Sequence, residues 1–211
     1  MQPIFSKNKA SIDNTAFLNW RISKQADILN MLNIADGFMM AALELAQNCL
    51  LDNQWKKADI LIFPILMNTN HGIELYLKAM IWTINKINKS DARIEGKHNI
   101  RQIFHTLKSK VKTYGGALSL EEFQAGTEEL EAYINELFAK IEATDKDDKM
   151  DFSRYPFSTK YDSHFYVNAI GNVEIDLENF VIRFESIKES LDALSGYLYH
   201  HELNREEFER D

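Results

Sequence analysis

The chain has 211 residues, 45% of them hydrophobic and 27% charged, with a formal net charge of −8. That length can bury a core without disulfides or a structural metal, and only 8 Gly and 3 Pro argue against a turn-rich all-β architecture. The acidic balance counts against a generic nucleic-acid coat protein, which runs on Lys and Arg against phosphates.

Residues 1–13 read as a loose lead-in, and 14–203 as a single domain. From Asn14, the residues Phe17, Trp20, Ile28, Leu29, Leu32 and Phe38 keep helical spacing, with Asn30 and Asn33 as candidate breaks. Met31 to Leu51 is a clearer helix, rich in Ala, Leu and Met; Met31, Met39 and Met40 read as core filler. Asp52-Asn53 ends it. A long helix then starts near Gln54 and runs through Phe63–Asn85, the stretch around which the rest is organised. Pro64 removes a backbone donor inside it, so a kink or a restart is expected there.

At roughly 100° per residue, Ile73, Tyr76, Leu77, Met80 and Ile84 share one side of that helix. His71, Glu74 and Lys78 share the opposite side, flanked by Met67, Leu75 and Trp82. A helix apolar around most of its circumference belongs in the middle of a bundle. Its polar stripe is then either a thin solvent-facing seam or the wall of a site.

After a turn at 88–96, Asn99 reads as the N-cap of a helix from Ile100 to Tyr114, stopped by Gly115-Gly116. The lysines Lys108, Lys110 and Lys112 spread around this helix rather than forming a patch. Ser119-Leu-Glu-Glu122 is a capping box for an acidic helix reaching about Ala143. Asp145 to Asp151 is loop-like. Tyr161, Phe165, Tyr166, Val167, Val173 and Ile175 are β-prone, and Gly171-Asn172 between them signals a hairpin at about 161–176. Asp176 caps a last helix reaching about His201, and 204–211 reads as a frayed tail. The expected fold is mainly α: a bundle of about five or six helices with a β-hairpin inserted before the last one.

His71 and Glu74 lie one turn apart and can meet, as an acid–base pair or one edge of a metal site. The plainer alternative is a hydrogen-bonded stripe that orders a partly buried helix. His98 is a third candidate ligand or a turn-closing residue; three ligands are the usual minimum, and no metal or other cofactor is assigned. Arg154, beside Tyr155-Pro156, can fork onto phosphate or carboxylate, or pair with Glu74 and tie its loop to the long helix. An aromatic before Pro also admits a cis peptide. Cys49 is the only cysteine, so no internal disulfide or multi-Cys zinc site can form, which suits a reducing cytoplasm; packing is its expected role. No nucleophile motif and no Gly-rich phosphate loop is found. No apolar run reads as long enough to span a bilayer, and MQPIFSKNKASIDNT lacks the apolar centre of a signal peptide. A cytoplasmic protein with no membrane contact is expected.

Three elements stand in order: His71-Gly-Ile-Glu-Leu-Tyr-Leu-Lys78-Ala, Gly96-Lys-His98-Asn-Ile, and Phe152-Ser-Arg154-Tyr-Pro156. Over roughly 54–195 the chain resembles HEPN-type domains (higher eukaryotes and prokaryotes nucleotide-binding). The resemblance implies a helical bundle, commonly dimeric, with a nucleotide or RNA ligand. It also implies a place in bacterial defence or stress systems, including toxin–antitoxin pairs, beside a partner protein encoded nearby. Catalytic members are similar in carrying Arg-x(4–6)-His on a late helix. Here the last helix has Arg183 with no His in reach, and Arg101 and His105 have three residues between them on an earlier helix, so no ribonuclease activity is expected. The second function considered is a non-catalytic helical interaction or dimerisation protein.

Overall fold

A computed structural model describes residues 3–93, 98–143, 150–158, 160–167 and 172–204. Among the described residues there are six α-helices: α1 (Asp27–Leu51), α2 (Ala58–Ile87), α3 (Ile100–Val111), α4 (Leu120–Gly126), α5 (Glu128–Glu142) and α6 (Leu177–Gly196), with a π-helical turn, Tyr197–Leu203, continuing α6. α2 is the axis. Its face of Ile73, Tyr76, Leu77, Met80 and Ile84 is fully buried, within one continuous cluster of buried side chains that every other α-helix joins. Two short helices side by side could not bury that much of α2's circumference, so α1, α3 and α6 pack around it.

Local chemistry explains most boundaries. Asn30 and Asn33 do not break α1. Their side chains hold the preceding segment: Asn30 takes the Ser23 N–H at 3.0 Å and donates to the Ser23 carbonyl at 2.8 Å, and Asn33 donates to the Arg21 carbonyl at 2.7 Å. α1 therefore starts only at Asp27, and Phe17 and Trp20 lie in a non-helical arm. Met39 is buried as expected, but Met40 is exposed. α2 starts at Ala58, after a 3-10 turn at Gln54–Lys56, and runs through Pro64 without interruption. The carbonyl that loses its partner to Pro64 belongs to Ile60, which is exposed, so water can satisfy it. Gly72 lets α1 approach closely, since a Cβ there would lie 2.8 Å from Met39 Cγ and 3.2 Å from the Ala35 carbonyl.

Asn99 caps α3 by accepting the Gln102 N–H at 3.0 Å. The Ser119–Glu122 capping box is formed in both directions. The expected single acidic helix is divided into α4 and α5 at Thr127, whose buried hydroxyl donates to the Phe123 carbonyl at 2.7 Å, next to Gly126, a weak helix former. Asp176 caps α6 through the Glu178 and Asn179 N–H groups. α6 is clamped to α1 and α2: Tyr76 donates to Asp192, and Lys188 lies 2.7 Å from both Asp36 and Asp192. Burial, then Asp192, push the Tyr76 hydroxyl well above its ordinary value.

The β-hairpin expected at 161–176 is corrected. Among the described residues there is no β-strand, and the one antiparallel pairing is an isolated bridge between Phe157 and Ser163. The β-prone aromatics serve another purpose. Phe152 and Phe165 are buried and meet edge to face at 5.3 Å, and Tyr166 packs on Phe63 of α2 at 5.5 Å. Both limbs of the 150–167 segment are thus anchored in the core, and the chain between them closes as a short turn instead of extending into a ribbon. The expected hairpin turn at Gly171, the acidic loop at 145–149, Gly96 and Lys97 of the second motif, and the tail beyond 204 lie outside the described residues. The Tyr155–Pro156 peptide is trans.

Candidate functional site

The α2 stripe converges on Glu74. Lys78 Nζ lies 2.8 Å from its Oε1, His98 Nδ1 3.0 Å from the same oxygen, and His71 Nδ1 3.9 Å from Oε2, an ion-pair distance rather than a hydrogen bond. Helical spacing supplies His71 and Lys78, and the Asn99 cap of α3 brings His98 across. Glu74 is only 4% exposed. Burial alone would raise its pKa; His71 and Lys78, with the charge of His98, more than reverse that and hold it at about 2. A carboxylate held so low stays ionised and accepts only, which makes it a poor proton-transfer group at neutral pH. His98 donates its Nδ1 proton to it. The Phe38 ring of α1 stands edge-on to His71 at 4.6 Å.

The stripe continues past Lys78 through Trp82, which the sequence places on its flank, and Asn85, which the sequence does not assign. Trp82 Nε1 donates to Asp91 at 2.9 Å, Asn85 Nδ2 donates to the Ala92 carbonyl at 2.6 Å, and Lys110 of α3 donates to Asn85 Oδ1 at 2.6 Å. The Arg93 guanidinium lies 4.1 Å from the Trp82 ring centre. The chain leaving α2 thus doubles back and laces itself to the stripe. Positions 71, 74, 78, 82 and 85 continue one line on the helix, and that spacing was the available signal. Among the described residues, no group of three or more His, Cys, Asp or Glu side chains is placed to hold a metal ion. The geometry is that of an ionic brace joining α2 to the start of α3.

Arg154 and Tyr155 are not part of it. Arg154 is exposed, its side chain makes no hydrogen bond or ion pair among the described residues, and the expected contact with Glu74 is not made; Lys78 and His98 hold that carboxylate instead. Instead Arg154 opens a turn that displays Tyr155, Phe157, Lys160 and Tyr161, all exposed, with Tyr161 at 82%. Ser158 closes this turn: its N–H donates to the Asp162 carbonyl at 2.8 Å and its carbonyl accepts the Tyr161 N–H at 2.9 Å. The Phe157 and Tyr161 rings stack at 5.2 Å and 29°.

The residues a ribonuclease motif would draw on are engaged elsewhere. Arg183 bonds Glu129 at 3.0 Å and Glu136 at 2.9 Å. Arg101 pairs with Glu142 and lies 4.2 Å from the Phe138 ring centre, while His105 is exposed beside it. Lys108 is paired with Glu131 at 3.1 Å. By length and composition α1 is apolar enough to cross a membrane, a test that core helices also pass, where the sequence reading found no such run. No family model matches this chain, and neither a curated protein nor a solved structure matches it.

Proposed function

We propose that this chain is a non-catalytic binding module for single-stranded RNA or nucleotides, of the kind its resemblance to HEPN domains implies for bacterial defence or stress systems. The observation that carries the reading is the exposure of three aromatic rings, Tyr155, Phe157 and Tyr161, close in sequence to Arg154, whose side chain has no partner among the described residues. Every base offers a π-face, and stacking one on an aromatic side chain contributes roughly 1–3 kcal/mol. A guanidinium adds a planar fork for phosphate. A platform of this kind suits a chain of net charge −8, because it draws on stacking more than on the phosphate attraction that a basic surface supplies.

The test is fluorescence anisotropy of a labelled single-stranded RNA with wild-type protein, Tyr161→Ala and Arg154→Ala. Loss of one stacking contact lowers affinity about 5- to 150-fold, from the same 1–3 kcal/mol. Two phosphate contacts, from Arg154 and Lys160, give a salt slope of only about −1.4 for a single strand. Absence of binding, or binding indifferent to both substitutions, refutes the reading. The RNA stays intact throughout; cleavage abolished by Arg101→Ala or His105→Ala overturns the non-catalytic part.

A further inference from the structure

The arm ahead of α1, residues 3–26, buries none of its residues. Its polar groups are nonetheless satisfied locally. Asn8 Oδ1 accepts the N–H groups of Ala10 at 2.8 Å and Ser11 at 3.1 Å, and the Asn8 N–H donates to the Thr15 hydroxyl at 3.1 Å. Further on, Asn30 and Asn33 of α1 hold the backbone at Ser23 and Arg21. Bonds of this kind fix the course of a chain without covering its side chains. The apolar ones accordingly stand outward: Ile4 is 95%, Phe5 89%, Leu18 83% and Trp20 78% exposed, with Ile12 and Phe17 exposed as well.

The same stretch is basic in an acidic protein. Lys7, Lys9, Arg21 and Lys24 stand against Asp13 alone, so residues 1–26 carry +3 and the remainder, in a chain of −8, carries −11. All four cations are exposed, and none is paired among the described residues. Uncovered apolar side chains in such number mark a surface that meets something else.

We propose that this arm seats the protein on a membrane surface containing anionic lipid. Positive charge beside uncovered Trp, Phe, Leu and Ile is the composition that binds the headgroup boundary of an anionic leaflet, and Trp in particular sits at that depth. The opposite charge of the remainder turns the arm towards such a surface and the body away from it. Positions 4, 5, 12, 17, 18 and 20 follow neither the helical repeat nor the strand alternation by which a protein groove or a sheet edge reads a peptide. A fluid bilayer demands no register. Stacked bases suit the arm less, since Ile4, Ile12 and Leu18 offer no π-face. The expectation of no membrane contact rested on the lack of a spanning run, and a peripheral contact needs none. This contact is additional to the RNA-binding turn at 154–161 and independent of it.

Flotation of the full chain with vesicles tests the arm. Wild type floats with phosphatidylcholine–phosphatidylglycerol vesicles and not with phosphatidylcholine alone. Each cation near an anionic surface strengthens partitioning about five-fold, the equivalent of about 1 kcal/mol, so Lys7→Gln/Lys9→Gln lowers it about 25-fold. Leu18→Ser/Trp20→Ser abolishes it, and neither pair moves the unfolding midpoint, because none of these residues is buried. In a Trp55→Phe background Trp20 is the only exposed tryptophan, and its emission shifts to the blue when the anionic vesicles are added. Failure to float with the anionic vesicles, equal flotation with both, an unshifted Trp20, or flotation indifferent to both pairs of substitutions overturns the proposal. So does another occupant of the arm: loss of single-stranded RNA binding in Leu18→Ser/Trp20→Ser, or a wild-type dimer that this pair converts to single chains.

Discussion

Replacing Glu74 with Gln tests the brace at the centre of α2. The folded pKa of Glu74 is held at about 2, against an ordinary 4.5. A difference of about 2.5 units corresponds to about 3 kcal/mol of stability. Because the folded pKa is the lower one, that stabilisation is complete above about pH 5 and is lost as pH falls towards 2. By about pH 3, some 2 kcal/mol of it is gone. Gln keeps the shape and cannot titrate, and it leaves Lys78, itself nearly buried, without its counter-charge, so Glu74→Gln is the less stable protein at neutral pH. The measurement is urea unfolding of both proteins, followed by tryptophan fluorescence at several pH values between about 5 and 3. Taking the difference cancels the exposed carboxylates common to both. The gap narrows by about 2 kcal/mol on acidification. Parallel stability curves across that window would show that Glu74 titrates normally and that the brace is not holding its charge.

Leu77→Ala removes a fully buried side chain of α2 and costs roughly 2–5 kcal/mol; an unchanged denaturant midpoint would show that its face is misassigned. Arg154→Ala leaves stability within about 0.5 kcal/mol of wild type, as surface changes do, and its effect adds to that of Glu74→Ala in a double-mutant cycle. Coupling between the two would restore the ion pair that the structure assigns to Lys78 and His98 instead.

The core of this fold was readable because a long helix must repeat its apolar residues every turn. Ile73 through Ile84 gave the buried face of α2, and Ser119, Asn99 and Asp176 gave three helix starts through side chains that cap locally. The hairpin was misread because Phe165 and Tyr166 have the same composition whether they pair in a ribbon or fill a core. Choosing between those outcomes needs contacts far away in sequence, such as Phe63. The same limit applied to the stripe: His71, Glu74 and Lys78 followed from spacing, but their closure by Asp91, Ala92 and His98 depends on how the connection folds back. Sequence alone points to Arg154 as Glu74's partner because a buried carboxylate needs one; Lys78, one turn away, supplies it at no loop-closure cost.

The clamp of α6 on α1 and α2 also orders events in time. His98 reaches Glu74 across 24 residues, but Asp192 reaches Tyr76 across 116, and closing the longer loop costs about 1.4 kcal/mol more in chain entropy. α1, α2 and α3 can therefore associate while the chain is still being made, whereas the groove that receives α6 waits for the last helix to leave the ribosome. Until then Tyr76, Asp36 and the apolar seat of Phe184 and Leu191 stand open. A chain extended only as far as α5 has the seat of α6 uncovered, and an uncovered apolar seat is the kind of surface through which incomplete chains associate.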